Sequence, residues 1–489
     1  MTPLSIFTID ILSENLLLLV ALMIFAALFV AKVGSKLGAP SLLLFLVLGM
    51  LAGPDVLGLR FDDYHLAESI GHFAMSVILF TAGLETSLSA TKPVWRQGVM
   101  LSTAGVLLTV LITGSLLTVS GMPILTCFLM AAILSSTDSA SVFSVLEGKK
   151  LRLRENLGPM LEFESGSNDP IALTLTAVMV EVIASPPIPG RGTWAIAGTG
   201  ILMILLQVAV GLAAGFLVGY GGRWLLRKLQ FSNFALTAIL ILSLGFFANG
   251  LAQLVSGNGL LATYIAALII GNKVKLQNKK DIRTFFEGIT WLMQLMMFML
   301  LGLLAHPSQM LPMILPALVV CLFMVFVSRP LSVFLCTLPF KGLSSRAKAF
   351  TSWVGLKGAG PILFALYVMI HGSHASSETF SFVFLITLFS LMLQGGTLSW
   401  MARKLKVSYE EAPAVETFGM EVPEEMGMMR DHVVTDEDLA AGSTLRDLNL
   451  PHGIRVMMVR RDDRFLVPHG SMTLEAGDHL VIIVGDSDD

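Results

Sequence analysis

The run Leu161-Glu162-Phe163-Glu164-Ser165-Gly166-Ser167-Asn168-Asp169-Pro170 opens an apolar stretch that continues to Val182, yet it carries three carboxylates. A stretch of that length can cross a bilayer. A charge there is costly, so by default it lies in a water-filled path or against a partner, and it marks function. Glu164 and Asn168 are four apart and share a helix face, as do Ser165 and Asp169. Glu164 and Asp169 themselves diverge by about 140° at helical pitch, so one helix offers two polar faces. Asp169 with Ser165 reads as an ion site, and Glu164 with Asn168 as a braced structural network. Burial disfavours an ionised carboxyl, so near neutral pH a lone buried acid can exchange a proton for a hard monovalent cation held by oxygens. Asp169, Asp138, the Ser165 hydroxyl and the Thr137 backbone carbonyl are the oxygens assigned to that cation. Proton and cation then compete for one carboxylate, which is exchange without further machinery. Asn168 matters by not titrating: one proton per monovalent cation makes the exchange electroneutral, although a titrating Asp138 would alter that count.

The remaining intramembrane charges need partners. Arg329 stays protonated in any protein environment, so it must sit beside a carboxylate, and Glu164 is the first choice. That pair reads as scaffold. Lys357 is expected to neutralise a helix crossing near Asp138, while Glu85 and Glu162 belong to a funnel on the cytoplasmic side.

Such residues have to be carried by membrane helices, and the composition supplies them. The 489 residues are 54% hydrophobic and 14% charged, with mean hydropathy +0.77, where soluble chains carry about 25% charge. Spans of about 20 residues are expected at 14–32, 40–58, 68–88, 97–118, 123–146, 158–184, 195–219, 234–255, 259–271, 288–305, 311–336, 347–371 and 379–400. Met1 to Asn15 holds Asp10 and Glu14 but no Lys or Arg, so it lacks the basic start of a secretory signal. With the N-terminus outside, 22 of the 32 basic residues fall on inward connections, against Arg60 and Arg191 on outward ones. By the positive-inside rule the C-terminal tail is then cytoplasmic. The three cysteines lie within spans and show no metal or disulfide spacing. A net charge of −3 offers nothing to nucleic acid.

Two spans should be interrupted. Ser135-Ser136-Thr137-Asp138-Ser139 breaks the fifth, because small hydroxyl residues compete for backbone hydrogen bonds. Gly355-Leu356-Lys357-Gly358-Ala359-Gly360-Pro361 breaks the twelfth. These spans are seven apart, as are the sixth and thirteenth, so matching spans run in opposite directions. The reading is an all-α polytopic membrane protein of 13 transmembrane helices, built from inverted six-helix repeats with crossed broken helices, the fifth and twelfth. Paired broken helices in inverted repeats mark secondary transporters. Gly211, Gly215 and Gly219 in the seventh span permit close helix packing.

On Gly83-Leu84-Glu85, Thr137-Asp138, Glu164 to Pro170, Arg329-Pro330 and Trp353 to Ala359, the sequence resembles the monovalent cation:proton antiporter-1 family, of the potassium/proton type, over about residues 15–400. The resemblance implies a dimerisation domain beside a moving six-helix core, elevator-like alternating access, a homodimer in the lipid bilayer of a bacterial inner membrane, and an essential Asp169 beside Asn168. Transported K⁺ or Na⁺ and H⁺ are the only ions it calls for, with no cofactor and no enzymatic activity. The family usually has arginine where this chain has Lys357, which keeps the charge but loses the planar fork.

The domain boundaries are read as 1–405 for transport, 406–429 as an acidic linker and 430–489 as a small cytosolic α/β domain. Ile454 to Val459 and His479 to Val484 read as strands. Leu450-Pro451-His452-Gly453, Val467-Pro468-His469-Gly470 and Gly477-Asp478 resemble the TrkA-C (RCK-C) type of ligand-sensing domain. That resemblance implies pairing with a second copy and control by a small cytosolic ligand, a cyclic dinucleotide or other nucleotide. A sodium or lithium antiporter, a ligand-gated cation channel and a membrane sensor remain as alternatives. A channel would pass cation current without a proton gradient, and a sensor would tolerate Asp169→Asn.

Overall fold

In lipid the backbone must satisfy its own hydrogen bonds, and a chain with this hydropathy does so as helices. The computed structural model describes residues 16–37, 40–59, 61, 63–184, 193–229, 231, 233–274, 278–340, 342–372, 377–410, 429–436, 438–448, 454–461 and 464–484. Arg60, Arg191, the linker from 411 to 428 and the motif at 450–453 lie outside them. The chain divides into two units, Met1–Tyr409 and Glu410–Asp489.

The first unit is helical. Its principal helices are α1 (Leu16–Leu37), α2 (Ser41–Ala52), α3 (Tyr64–Glu85), α4 (Trp95–Ser120), α5 (Ile124–Ile133), α6 (Ser139–Glu147), α7 (Leu157–Ala184) and α8 (Thr193–Lys228). There follow α9 (Phe234–Leu254), α10 (Gly259–Lys273), α11 (Lys279–Leu303), α12 (Pro307–Thr337), α13 (Ser345–Trp353), α14 (Ala359–His371) and α15 (Glu378–Lys404). Among the described residues, eight helices are long and apolar enough to cross a membrane: α3, α4, α7, α8, α9, α11, α12 and α15. α2, α5, α10, α14 and Val20–Lys32 of α1 are apolar but only 10–17 residues long. Each stretch expected to span has a helix at its place, and the expected fifth and twelfth are each in two pieces.

Packing gives these helices their places. On α8, Gly211 lies against Asn258, Gly215 against Ala262 and Ile265, and Gly219 against Ala266 and Ile269, so α8 and α10 approach as closely as backbone allows. Helices α3, α8, α9, α10 and α11 share an apolar cluster around Phe80, Ile241, Ile270 and Phe286, separate from the main core. The methionines of α11 help fill an interface, with Met297 and Met299 buried. Three helices contain a π-helical turn: Leu101–Gly105 in α4, Met324–Ser328 in α12 and Leu391–Gly395 in α15. Beside the first two, hydroxyls stitch α4 to α12: Thr113 Oγ1 lies 2.9 Å from Ser328 Oγ, and Thr109 donates to Ser332 at 3.1 Å.

The second unit is a four-stranded antiparallel sheet. Its strands are β1 (Met429–Val433), β2 (Ile454–Arg461), β3 (Arg464–Leu466) and β4 (His479–Val484), in the order β1-β4-β2-β3. Val434, Leu448, Val459, Leu474, Leu480 and Ile482 form its core. Gly477 turns into β4 at φ +96°, a conformation that favours glycine. The following Asp478 is 1% exposed and accepts from Arg461 Nε at 2.9 Å and Nη2 at 2.7 Å.

Candidate functional site

Two helix interruptions meet in the first unit. Between α5 and α6 the residues Leu134–Asp138 are not helical, and between α13 and α14 neither are Val354–Gly358. Both breaks fall where the hydroxyl run and the glycine run predict. Pro361 nonetheless sits inside α14, at its third position. No intrahelical acceptor exists there for an N–H, so its missing donor costs nothing. The breaks are joined directly: Asp138 N donates to Leu356 O at 2.9 Å, and Lys357 Nζ donates to Ser136 O at 2.8 Å. A Cβ on Gly358 would run into the Asp138 carboxylate, so only glycine lets the two breaks lie this close.

Each break leaves unpaired backbone groups, and the charged side chains take them. Asp138 is the N-cap of α6, accepting from Ser141 N at 3.1 Å and from the Ser141 hydroxyl. A carboxylate there also meets the positive end of the helix dipole. Lys357 does the converse, giving its ammonium to a carbonyl just past the end of α5. Its backbone N is held by Ser390 Oγ at 2.9 Å, which donates to Gln394 Oε1 at 2.6 Å. Lysine was expected to neutralise the crossing near Asp138, and its nitrogen goes to the carbonyl of Ser136, two residues before Asp138 in the same break.

Helix α7 passes this crossing unbroken, with Pro170 inside it. It delivers three side chains to the break between α5 and α6. Asp169 Oδ1 accepts a hydrogen bond from Ser136 Oγ. Asn168 Nδ2 donates to Thr137 Oγ1 at 2.5 Å. Ser165 Oγ donates to Thr137 O at 2.9 Å and accepts from Ser139 N at 3.1 Å. On the other face Glu164, 1% exposed, meets Arg329 Nη2 at 2.5 Å, the partner nominated by the sequence. Asp169 is half-buried and within electrostatic range of Asp138 and Lys357, while its direct partner, Ser136, is uncharged. Gly360 at the start of α14 lies beside both Ser136 and Asp169.

The site residues named from sequence are therefore brought together, in a rearranged pairing. Asn168 joins the break and not Glu164, and Ser165 bonds backbone and not Asp169. Ser136 was flagged only as a helix breaker, although its place one residue before Thr137-Asp138 put a hydroxyl within reach of α7. Glu85 ends α3 and lies 3.5 Å from Arg283. Glu162 is in electrostatic range of the same arginine, and Glu147 is in range of both Glu85 and Glu162. A cavity of about 120 Å³ opens there, lined by Glu85, Thr86, Asn272, Lys279, Arg283 and Phe286. Among the described residues no cluster of His, Cys, Asp and Glu is arranged to hold a metal ion as multidentate ligands.

Tyr264 of α10 was not anticipated. Its ring is fully buried against Gly166 of α7 and Gly83 of α3, with Phe163 edge-on at 6.5 Å. No pattern in the sequence signals it, because a tyrosine on an apolar helix resembles any core aromatic.

Residues 20–404 match the family described as sodium/hydrogen exchanger, transmembrane, and residues 429–488 match the TrkA-C domain. The chain is 36% identical over 477 residues to a K(+)/H(+) antiporter NhaP2 of Shewanella sp. (strain ANA-3), covering 96% of this chain and 81% of that one. It is 33% identical over 488 residues to a K(+)/H(+) antiporter NhaP of Alkalimonas amylolytica, with the same shares. The sodium proton antiporter MjNhaP1 of Methanocaldococcus jannaschii has the same fold, with TM-score 0.66 and 23% identity, over 79% of this chain and 97% of that one.

Proposed function

The chain belongs to the sodium/hydrogen exchanger family and is a multi-pass cation/proton antiporter with a TrkA-C domain, and on that premise we propose that it exchanges potassium for protons at Asp169. The observation that carries this is the division of labour on α7. Glu164 faces a permanent cation, Arg329, whereas Asp169 faces a neutral hydroxyl at the junction of two broken helices. A carboxylate fixed by arginine cannot change its occupant. One held only by a hydroxyl can bind a proton or an alkali cation in turn, with Ser136 and the backbone oxygens of the break beside it.

Asn168 is engaged with Thr137 and brings no second titrating group, so one proton is exchanged per cation and the cycle is electroneutral. Asp138 serves as the cap that shapes α6 while lending its field to the site. The paired breaks suit thirteen spans in inverted repeats, with the site carried by an elevator-type movement in each protomer of a homodimer. The acidic groups around Arg283 form the funnel on the cytoplasmic side, which also holds the TrkA-C domain and its small regulatory ligand. Potassium is preferred to sodium because the relatives that match nearly the whole chain are K(+)/H(+) antiporters.

The test is ion-dependent pH change in everted membrane vesicles offered K⁺, Na⁺ or Li⁺ separately. Wild type should alkalinise or acidify the lumen with K⁺, and Asp169→Asn should be inert with all three. Activity of Asp169→Asn equal to wild type would reject the site, and exchange with Na⁺ alone would reassign the ion.

A further inference from the structure

One face of α3 is laid along one face of α14, from the site to the end of the bundle. Met75 stands beside Gly360, next to Asp169. Four residues towards the start of α3, Gly71 receives Leu363 so closely that a Cβ would overlap its methyl group. One turn further, Glu68 Oε1 lies 3.6 Å from Nδ1 of His371, the last residue of α14. The intervals are 3 and 4 on α3 and 3 and 8 on α14, so both series stay on one helical stripe. This seam runs from beside Asp169 to the end of the bundle opposite Glu85 and Arg283. On the antiporter reading, on which this inference rests, that end is the outer one.

The seam must part whenever Asp169 opens outward, and its last contact pairs a carboxylate with an imidazole. His371 is 44% exposed at the side chain and Glu68 20%, so the outer solution reaches the pair. The His371 ring stacks on Tyr367 at 4.4 Å and its Nδ1 also reaches Tyr367 O at 3.1 Å, which fixes the ring towards Glu68. The other titratable groups around them are His65 and His72 on α3, Tyr367 on α14 and Glu181 on α7. His65 also acts on Glu68, but it rides the same helix and cannot tie α3 to α14. An imidazole is the side chain whose charge changes near neutral pH, and among these groups His371 is the imidazole that bridges the two helices.

We propose that Glu68 and His371 form an acid-closed latch on the outer seam: protonation of His371 from outside creates an ion pair that holds α3 against α14 and slows outward opening. Loss of the proton leaves a weaker polar contact, and the seam parts more readily.

The experiment uses the full chain in right-side-out membrane vesicles, with lumenal pH fixed and bath pH varied, and reads K⁺-dependent proton flux. Driving force and occupancy of Asp169 are common to all variants at a given pH, so the ratio of variant to wild type isolates the latch. Glu68→Gln and His371→Gln should each equal wild type at about pH 8.5 and exceed it about two- to fivefold at about pH 5.5, the range a partly exposed ion pair supports. The double variant should gain nothing more. A ratio that stays near one at every bath pH, or that responds to lumenal acid instead, overturns the latch while leaving antiport intact. An inactive wild type would overturn both readings together.

Discussion

Replacing Glu164 by glutamine isolates what the buried pair does. The change keeps the shape of the side chain and removes its charge, leaving the Arg329 guanidinium, 6% exposed, without a counter-ion. Arginine does not shed its proton, so the penalty cannot be avoided by neutralisation. Contact is through one nitrogen and one oxygen at 2.5 Å, while Glu164 Oε2 and Arg329 Nε have no hydrogen-bond partner among the described residues. Removing one member of such a pair costs about 3–5 kcal/mol. The exposed Arg283–Glu287 pair, with side chains 57% and 49% exposed, is the internal control; breaking it should cost about 0–1 kcal/mol. Unfolding of the purified protein by SDS titration in detergent micelles measures both. Replacing the two partners together, Glu164→Leu with Arg329→Met, should return most of the loss, to within about 1–2 kcal/mol of wild type, because no charge is then stranded. A Glu164→Gln protein within about 1 kcal/mol of wild type would refute the assignment of this pair to the scaffold, since a stranded cation must cost more than an exposed one.

Other expectations follow from the same geometry. Asp169→Asn should abolish exchange yet unfold within about 1 kcal/mol of wild type, because its partner is neutral; a large loss of stability in the same SDS titration would make Asp169 structural. Gly358→Ala should push Asp138 off α6 and lower exchange at least tenfold, read by vesicle flux, and full activity would show that the crossing yields easily. Gly166→Ala drives a methyl group into the Tyr264 ring and should cost about 1–3 kcal/mol, checked by the same unfolding assay. In the second unit, burial pushes the Asp478 carboxyl up, but the hydrogen bonds and charge of Arg461 and the Glu475 backbone hold it below its ordinary value. A lowered folded value stabilises fully above the unfolded one, about pH 4, and is lost as pH falls below it. Hydrogen exchange of β4 in the intact protein should therefore quicken below about pH 4 in wild type, and Arg461→Met should flatten that dependence.

Much of this arrangement was legible in the sequence because membrane depth makes charge expensive. Arg329 and Glu164 had to find each other, and the hydroxyl and glycine runs had to unwind. Helix periodicity also put Glu164 and Asp169 on different faces of α7, which is where they stand. What periodicity cannot supply is the third dimension at the crossing. Thr137 turns its hydroxyl to Asn168 and its carbonyl to Ser165, and nothing in their spacing decides which oxygen meets which donor. Lys357 was assigned by charge alone, and its ammonium goes to a backbone carbonyl of the break, an acceptor that charge counting does not reveal. The π-helical turns were invisible for a different reason. They add one residue to a turn without altering composition, and two of them are marked by the hydroxyl contacts of Thr109 with Ser332 and Thr113 with Ser328.

The bond from Asp138 N to Leu356 O ties two segments that are far apart in the chain into one piece. Half-helices so fastened resist sliding past each other, which keeps the groups around Asp169 together. Any motion that leaves this bond intact therefore leaves the oxygens around Asp169 in their places.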